Sequence, residues 1–154
     1  LMDGDDIGII AVGSLVSSAF SAAQRLQKEG ISVRVVNMST IKPIDVALVE
    51  ETARKVKLLV TAEDHQISGG LAGAVAEVLS QTYPKKIHRI GMHDAFGESG
   101  KSADLYKKYR FDANGVYEQI KNWLALEDQV VQAVLKAEQE PSLRGNFDDL
   151  AKKL

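Results

Sequence analysis

The 154-residue chain contains no cysteine, which excludes a disulfide framework, a thiol nucleophile and any thiolate-held metal. Neither sign of charge is in excess: 19 Lys and Arg stand against 21 Asp and Glu, a formal net charge of −2. Whole-surface attraction to nucleic acid or anionic lipid is therefore not expected. No apolar run approaches the roughly 20 residues of a membrane-spanning helix, and the start lacks the basic-then-apolar layout of a secretory signal. Several familiar sites are missing too. Gly13 is the sole glycine after the first predicted strand, so the dinucleotide fingerprint GxGxxG fails. Neither a GxxxxGK[ST] phosphate loop nor a GxSxG nucleophile elbow occurs. There is no internal repeat and no low-complexity tract. What is left reads as a soluble, cytoplasmic domain. It is 45% hydrophobic and 26% charged, enough for one proper core.

The first two thirds alternate between strand and helix patterns. Ile7 to Val12 is a continuous apolar, β-branched run, as expected of a parallel strand covered on both faces. Ser14 stands where an N-cap would, and Leu15, Ala19, Ala22, Ala23 and Leu26 follow at helical spacing until Gly30 closes the helix. Ile31 to Val36 is the second strand. Asp45 opens the second helix, which carries Val46, Val49, Ala53 and Val56. Lys57 to Ala62 is the third strand, Glu63 to Gly70 a loop, Leu71 to Leu79 the third helix and Lys86 to Met92 the fourth strand. Such repeated strand–helix–strand units imply right-handed crossovers with helices on both sheet faces. After a glycine-containing loop, Ala103 to Tyr109 reads as a short basic helix. Asp112 caps a longer one, with Val116, Ile120, Trp123 and Leu124 on one face and an apolar stripe running to Glu140 before Pro141. A last polar helix is expected from about Asn146. Leu1-Met2 followed by Asp3-Gly4 looks like the remnant of a hairpin, as if the chain were a piece of something longer.

Ligands of open α/β sheets gather beyond the C-terminal strand ends, near a topological switch point. The loops there make Gly13, Ser14, Glu63, Asp64, His65, Ser68, Gly69 and Gly70 a candidate anion or ligand pocket. Ser68-Gly69-Gly70 opens a helix, whose free N–H groups and dipole suit a phosphate or carboxylate; the same glycines equally serve a tight turn and close helix–sheet packing. Glu63, Asp64 and His65 have the chemistry of an acid–base or metal cluster, although neighbours on an extended segment point apart. His93, Asp94, Glu98 and Ser99 form a second candidate polar loop. The lysine-rich segment from Lys101 to Arg110 reads as a solvated helix face.

The ordered series Ile9-Ile10-Ala11-Val12-Gly13-Ser14, Asn37 to Asp45 (NMSTIKPID), Thr61-Ala62-Glu63-Asp64-His65, Gly69-Gly70-Leu71, Ala74 to Val78 (AVAEV) and Phe96 to Gly100 (FGESG) closely resembles the C-terminal domain of transketolases. The likeness runs from about Asp5 to Leu124. Related thiamine-diphosphate enzymes share this domain, but the Glu-Asp-His-Gln and Phe-Gly-Glu-Ser-Gly segments look closer to transketolase. The resemblance implies a three-layer α/β/α fold with a mostly parallel, mixed sheet of about five strands, the first antiparallel and shortened here. It places the first long strand between the second and third, with the switch point between Gly13-Ser14 and the Glu63 to Gly70 loop. Residues 1–126 are then the transketolase-like domain, and 127–154, for which the family pattern has no counterpart, read as a helical extension.

The implied parent is a homodimeric enzyme of the pentose phosphate pathway that moves a two-carbon ketol unit between sugar phosphates with thiamine diphosphate and Mg²⁺. In that family the cofactor lies between two other domains, which supply a Gly-Asp-Gly motif and an activating glutamate; here Asp3-Gly4-Asp5 has the reverse pattern. No catalytic, cofactor-binding or metal-binding residue is thus carried onto this chain. Its expected partners are the cofactor-binding domains or subunit, with no nucleic acid and no membrane, and its role is structural, dimer-forming or regulatory. Two other readings remain: a small-ligand or anion-binding regulatory module, and an assembly module acting through the C-terminal helix.

Overall fold

The structure, a computed structural model, describes residues 1–139, with side chains as far as Lys136. Among the described residues nine elements follow one another: β1 (Ile7–Ala11), α1 (Leu15–Lys28), β2 (Val33–Asn37), α2 (Val46–Lys55), β3 (Leu58–Gln66), α3 (Leu71–Gln81), β4 (Ile87–Met92), α4 (Ser102–Lys108) and α5 (Ala113–Gln139). The four strands form one parallel sheet in the order β2-β1-β3-β4. Every residue of β1 is buried, as its unbroken apolar run requires of a central strand covered on both faces. Ile10 of β1, Val36 of β2 and Leu59 of β3 pack with Val49 and Ala53 of α2 and Leu71, Val75 and Leu79 of α3 in one apolar cluster. The alternate residues Ile7, Ile9, Val33, Val35 and Val60 point to the other face, where α1 lies against β1, β2 and β3 through Leu15, Ala19, Ala22, Ala23 and Leu26. Helices on both faces of a mostly parallel sheet make the three-layer α/β fold.

Local chemistry sets the element ends. Asp45 caps α2, its carboxylate accepting from Leu48 N at 2.9 Å. Asp6 ties together the N-terminal ends of three strands: it accepts from Ser32 N at 2.8 Å and from Lys57 Nζ at 2.8 Å. That use of Ser32, with Ile31 N donating to Leu26 O at the end of α1, delays β2 to Val33 instead of Ile31.

Three expectations change. The predicted loop from Glu63 begins as strand: β3 continues through Gln66, with an irregularity between Ala62 and Gln66, and Gln66 pairs with Met92 of β4. Backbone pairing ignores the side-chain polarity that ended the apolar run at Ala62. The shortened first strand does not fold back on β1 as a hairpin. Met2 instead makes an isolated antiparallel bridge to Val35, on the β2 edge. That edge offers unpaired groups, whereas β1 is already paired on both sides. Finally, Ser14 occupies the N-cap position of α1 but makes no side-chain capping bond; its hydroxyl is engaged elsewhere.

Compact units divide between residues 117 and 118; that division and the expected boundary at 126 and 127 both lie within α5. In the first unit Asp112 caps α5 through a 2.9 Å bond from Gly115 N. In the second, Ile120 and Trp123 are buried and Val131 and Leu135 exposed. The expected stop at Pro141 and the helix from Asn146 lie outside the described residues.

Candidate functional site

The C-terminal end of β3 delivers three consecutive acid–base residues, and the pleat sends them to different tasks. Glu63 is fully buried. Its carboxylate accepts from Leu71 N at 2.7 Å and from Ala72 N at 2.8 Å, the first N–H groups of α3. The N-terminal dipole of α3 is therefore answered from inside the chain, by a charge-assisted pair of bonds. Gly70 makes the approach feasible: a Cβ there would stand 1.9 Å from Glu63 Oε2. Gly69 turns the chain with φ +82, and Ser68 is exposed beside it. Of the two readings the sequence left open for this helix start, an anion site or close packing, the structure has Glu63 accepting from its first two N–H groups, and an outside anion at those two groups would compete with it.

Asp64 faces the neighbouring loop. Ser14 Oγ donates to Asp64 Oδ2 at 2.5 Å, Tyr106 of α4 donates to Ser14 Oγ, and the Tyr106 hydroxyl lies 3.1 Å from Asp64 Oδ2. Gly13, at φ +59, makes the turn that presents Ser14 after β1. These residues span the sheet's switch point between β1 and β3, where the strand order reverses, and Tyr106 reaches it from α4. On its other oxygen Asp64 pairs with His65 Nδ1 at 3.0 Å, and the His65 side chain is largely exposed. Burial pushes the Asp64 carboxyl up, but the hydrogen bonds from Ser14 and Tyr106 and the His65 charge outweigh it, holding the group below the usual carboxylate range.

A carboxyl more acidic folded than unfolded stabilises the fold fully above its unfolded value, and that contribution is lost as pH falls through the folded one. Asp64→Asn is thus expected to flatten the acid side of the stability–pH profile, measured by urea unfolding between pH 3 and 7; an unchanged acid limb would contradict this.

The second predicted cluster does not converge. His93, Asp94, Glu98 and Ser99 are all exposed, and His93 and Asp94 share no hydrogen bond. Asp94 (φ +49) gives its backbone N–H to Gln66 Oε1 at 2.9 Å, while Glu98 pairs with Lys108 Nζ at 2.6 Å. Between this loop, the end of β3 and α4 lies an open pocket of about 400 Å³ lined by Asp64, His65, Met92, Glu98, Leu105 and Tyr109 among others. Tyr106 and Gln66 were not legible as site residues. Tyr106 stands 92 residues from Ser14 in a helix whose lysines dominate its pattern.

The motif segments and this geometry meet in the comparisons with known proteins. The family model for the transketolase C-terminal domain matches residues 1–116. The chain belongs to the transketolase C-terminal domain family. A Methanocaldococcus jannaschii protein described as a transketolase C-terminal section is 48% identical over 122 residues, which are 78% of this chain and 37% of that protein. One of the subunits of apulose-4-phosphate transketolase from Phocaeicola vulgatus is 37% identical over 116 residues, 75% of this chain and 37% of its own length. The 1-deoxy-D-xylulose-5-phosphate synthase of Caldanaerobacter subterraneus is 38% identical over 124 residues, only 20% of that enzyme. Among solved structures, a split-gene transketolase described as an inactive β4 tetramer superposes with a TM-score of 0.73. It is 43% identical over 79% of this chain and 40% of its own. This transketolase C-terminal domain thus spans about a third of the split relatives and a fifth of the synthase.

Proposed function

We propose that this chain is the C-terminal part of a cytoplasmic transketolase-type enzyme that transfers a two-carbon ketol unit between sugar phosphates, and that its own contribution is structural. Two sets of observations support the reading. The chain matches the C-terminal domain model while spanning 37% of relatives described as a section or subunit of transketolase. Meanwhile the chain's own groups engage the α3 helix start, through Glu63, and the switch point, through the Ser14–Asp64–Tyr106 network beside the open pocket. The match of residues 1–116 to the C-terminal domain model is the observation that carries the reading.

Thiamine diphosphate and Mg²⁺, when bound in the parent, supply the carbanion-stabilising chemistry. Among the described residues no three His, Cys, Asp or Glu side chains come together as a metal would require, so no step of that chemistry is assigned to them. The partner is the section of the enzyme that holds the cofactor, within a homodimeric or larger parent.

With ketose and aldose phosphates, thiamine diphosphate and Mg²⁺, the 154-residue chain alone is expected to give no turnover above background. Adding the cofactor-binding section is expected to restore it. Turnover by the chain alone would overturn the reading.

A further inference from the structure

Phe96 is 99% exposed, although most large apolar side chains of the sheet unit are buried. Its exposure does not come from a free loop. On one side, Gln66 clamps the backbone twice: its Nε2 donates to Ala95 O at 2.7 Å and its Oε1 accepts from Asp94 N at 2.9 Å. On the other, both oxygens of Glu98 accept from Lys108 Nζ at 2.6 Å. An apolar refuge is close by, since Met92, Leu105 and Tyr109 line the pocket at the foot of the same loop, beside Ala95 and Gly97. Phe96 does not line it, and its ring stands in solvent instead. A fully exposed ring on a hydrogen-bonded loop is available to enter a partner's pocket, as aromatic interface anchors do.

We propose that Phe96 is the anchor by which this domain docks onto the cofactor-binding section of its enzyme, entering an apolar socket there. The inference rests on the reading of this chain as one part of a larger transketolase. The surroundings select a protein partner. Three acids (Asp94, Glu98, Asp104) stand against three lysines (Lys101, Lys107, Lys108) and Arg110 along this stretch, and Glu98 pairs with Lys108, so the stretch lacks the strong cationic excess that phosphate backbones or anionic bilayers select. Among protein partners, the section that makes up most of the split relatives' length is the one this domain must meet to act in the same enzyme.

The test uses the full chain and the purified cofactor-binding section from the same organism, with affinity read by calorimetry. Phe96→Ala is expected to weaken binding about ten- to a hundredfold, the range for losing one well-buried aromatic side chain. Phe96→Leu should recover most of it, and Val46→Ser, which alters an exposed apolar residue on α2, should leave it unchanged. The melting temperature of the Phe96→Ala chain alone is expected to match the parent, so lost affinity cannot be lost fold. Equal affinity of Phe96→Ala and parent overturns the anchor and leaves the proposed function standing. No complex with the unaltered chain overturns both. If the substitution instead abolishes self-association of the chain alone, the occupant is a second copy and the proposal fails.

Discussion

Glu63→Ala is expected to cost on the order of 3–5 kcal/mol of folding stability, the sum of two buried donors left unsatisfied at about 1–3 kcal/mol each and the cavity opened. The carboxylate is fully buried and satisfies the backbone N–H groups of Leu71 and Ala72 at 2.7 and 2.8 Å. Alanine removes both acceptors at once and leaves two donors without partners in a region closed to water. It also opens a cavity where the methylenes packed, and removes the negative charge facing the dipole of α3. Glu63→Gln is expected to lose about half as much. Its amide oxygen still accepts one bond, while its NH₂ group opposes the other donor. Urea unfolding followed by far-UV circular dichroism gives the measurement. A loss below about 1 kcal/mol for Glu63→Ala would show that Glu63 is not the group holding this helix start.

Gly70→Ala is expected to destabilise the domain by about 2–4 kcal/mol, the larger end of what a single added methyl does. The new Cβ would lie 1.9 Å from Glu63 Oε2 and 2.7 Å from Gln66 O, distances that force the carboxylate off its two donors. The effects of Gly70→Ala and Glu63→Ala should therefore not add. With Glu63 already alanine, the worst contact is gone and only the Gln66 carbonyl remains close, so Gly70→Ala should cost less there than in the parent. Full additivity in the double-mutant cycle would mean that the glycine serves its turn alone and not the approach of the carboxylate. The comparison also decides between the two roles that its sequence position left open, an anion cradle or close packing.

Much of the fold was legible because it rests on local periodicity. The apolar run at Ile7 to Val12, the helical spacing from Leu15 to Leu26 and the Asp45 cap were each readable from neighbouring residues, and the structure has them in place. The strand order was accessible only through the resemblance, since nothing in the composition of β1 says that it lies between β2 and β3. The errors have a common source. Extending β3 to Gln66, bridging Met2 to Val35 and recruiting the Ser14 hydroxyl away from its helix all depend on groups distant in sequence.

The candidate site divides in the same way. The sequence by itself determined which chemical groups stand at the strand ends: a glycine pair before α3, three acid–base residues in a row, and Gly13-Ser14 after β1. It also determined what the chain lacks for thiolate–metal, thiol and dinucleotide chemistry. Tertiary structure alone decided what those groups do. Successive β3 residues point to different sides, so Glu63 turns inward to the α3 amides while Asp64 meets Ser14 and Tyr106 across 50 and 42 residues of chain. A carboxylate's role is set by the donors that surround it, and donors brought together by a sheet crossover leave no trace in the spacing of the residues that carry them.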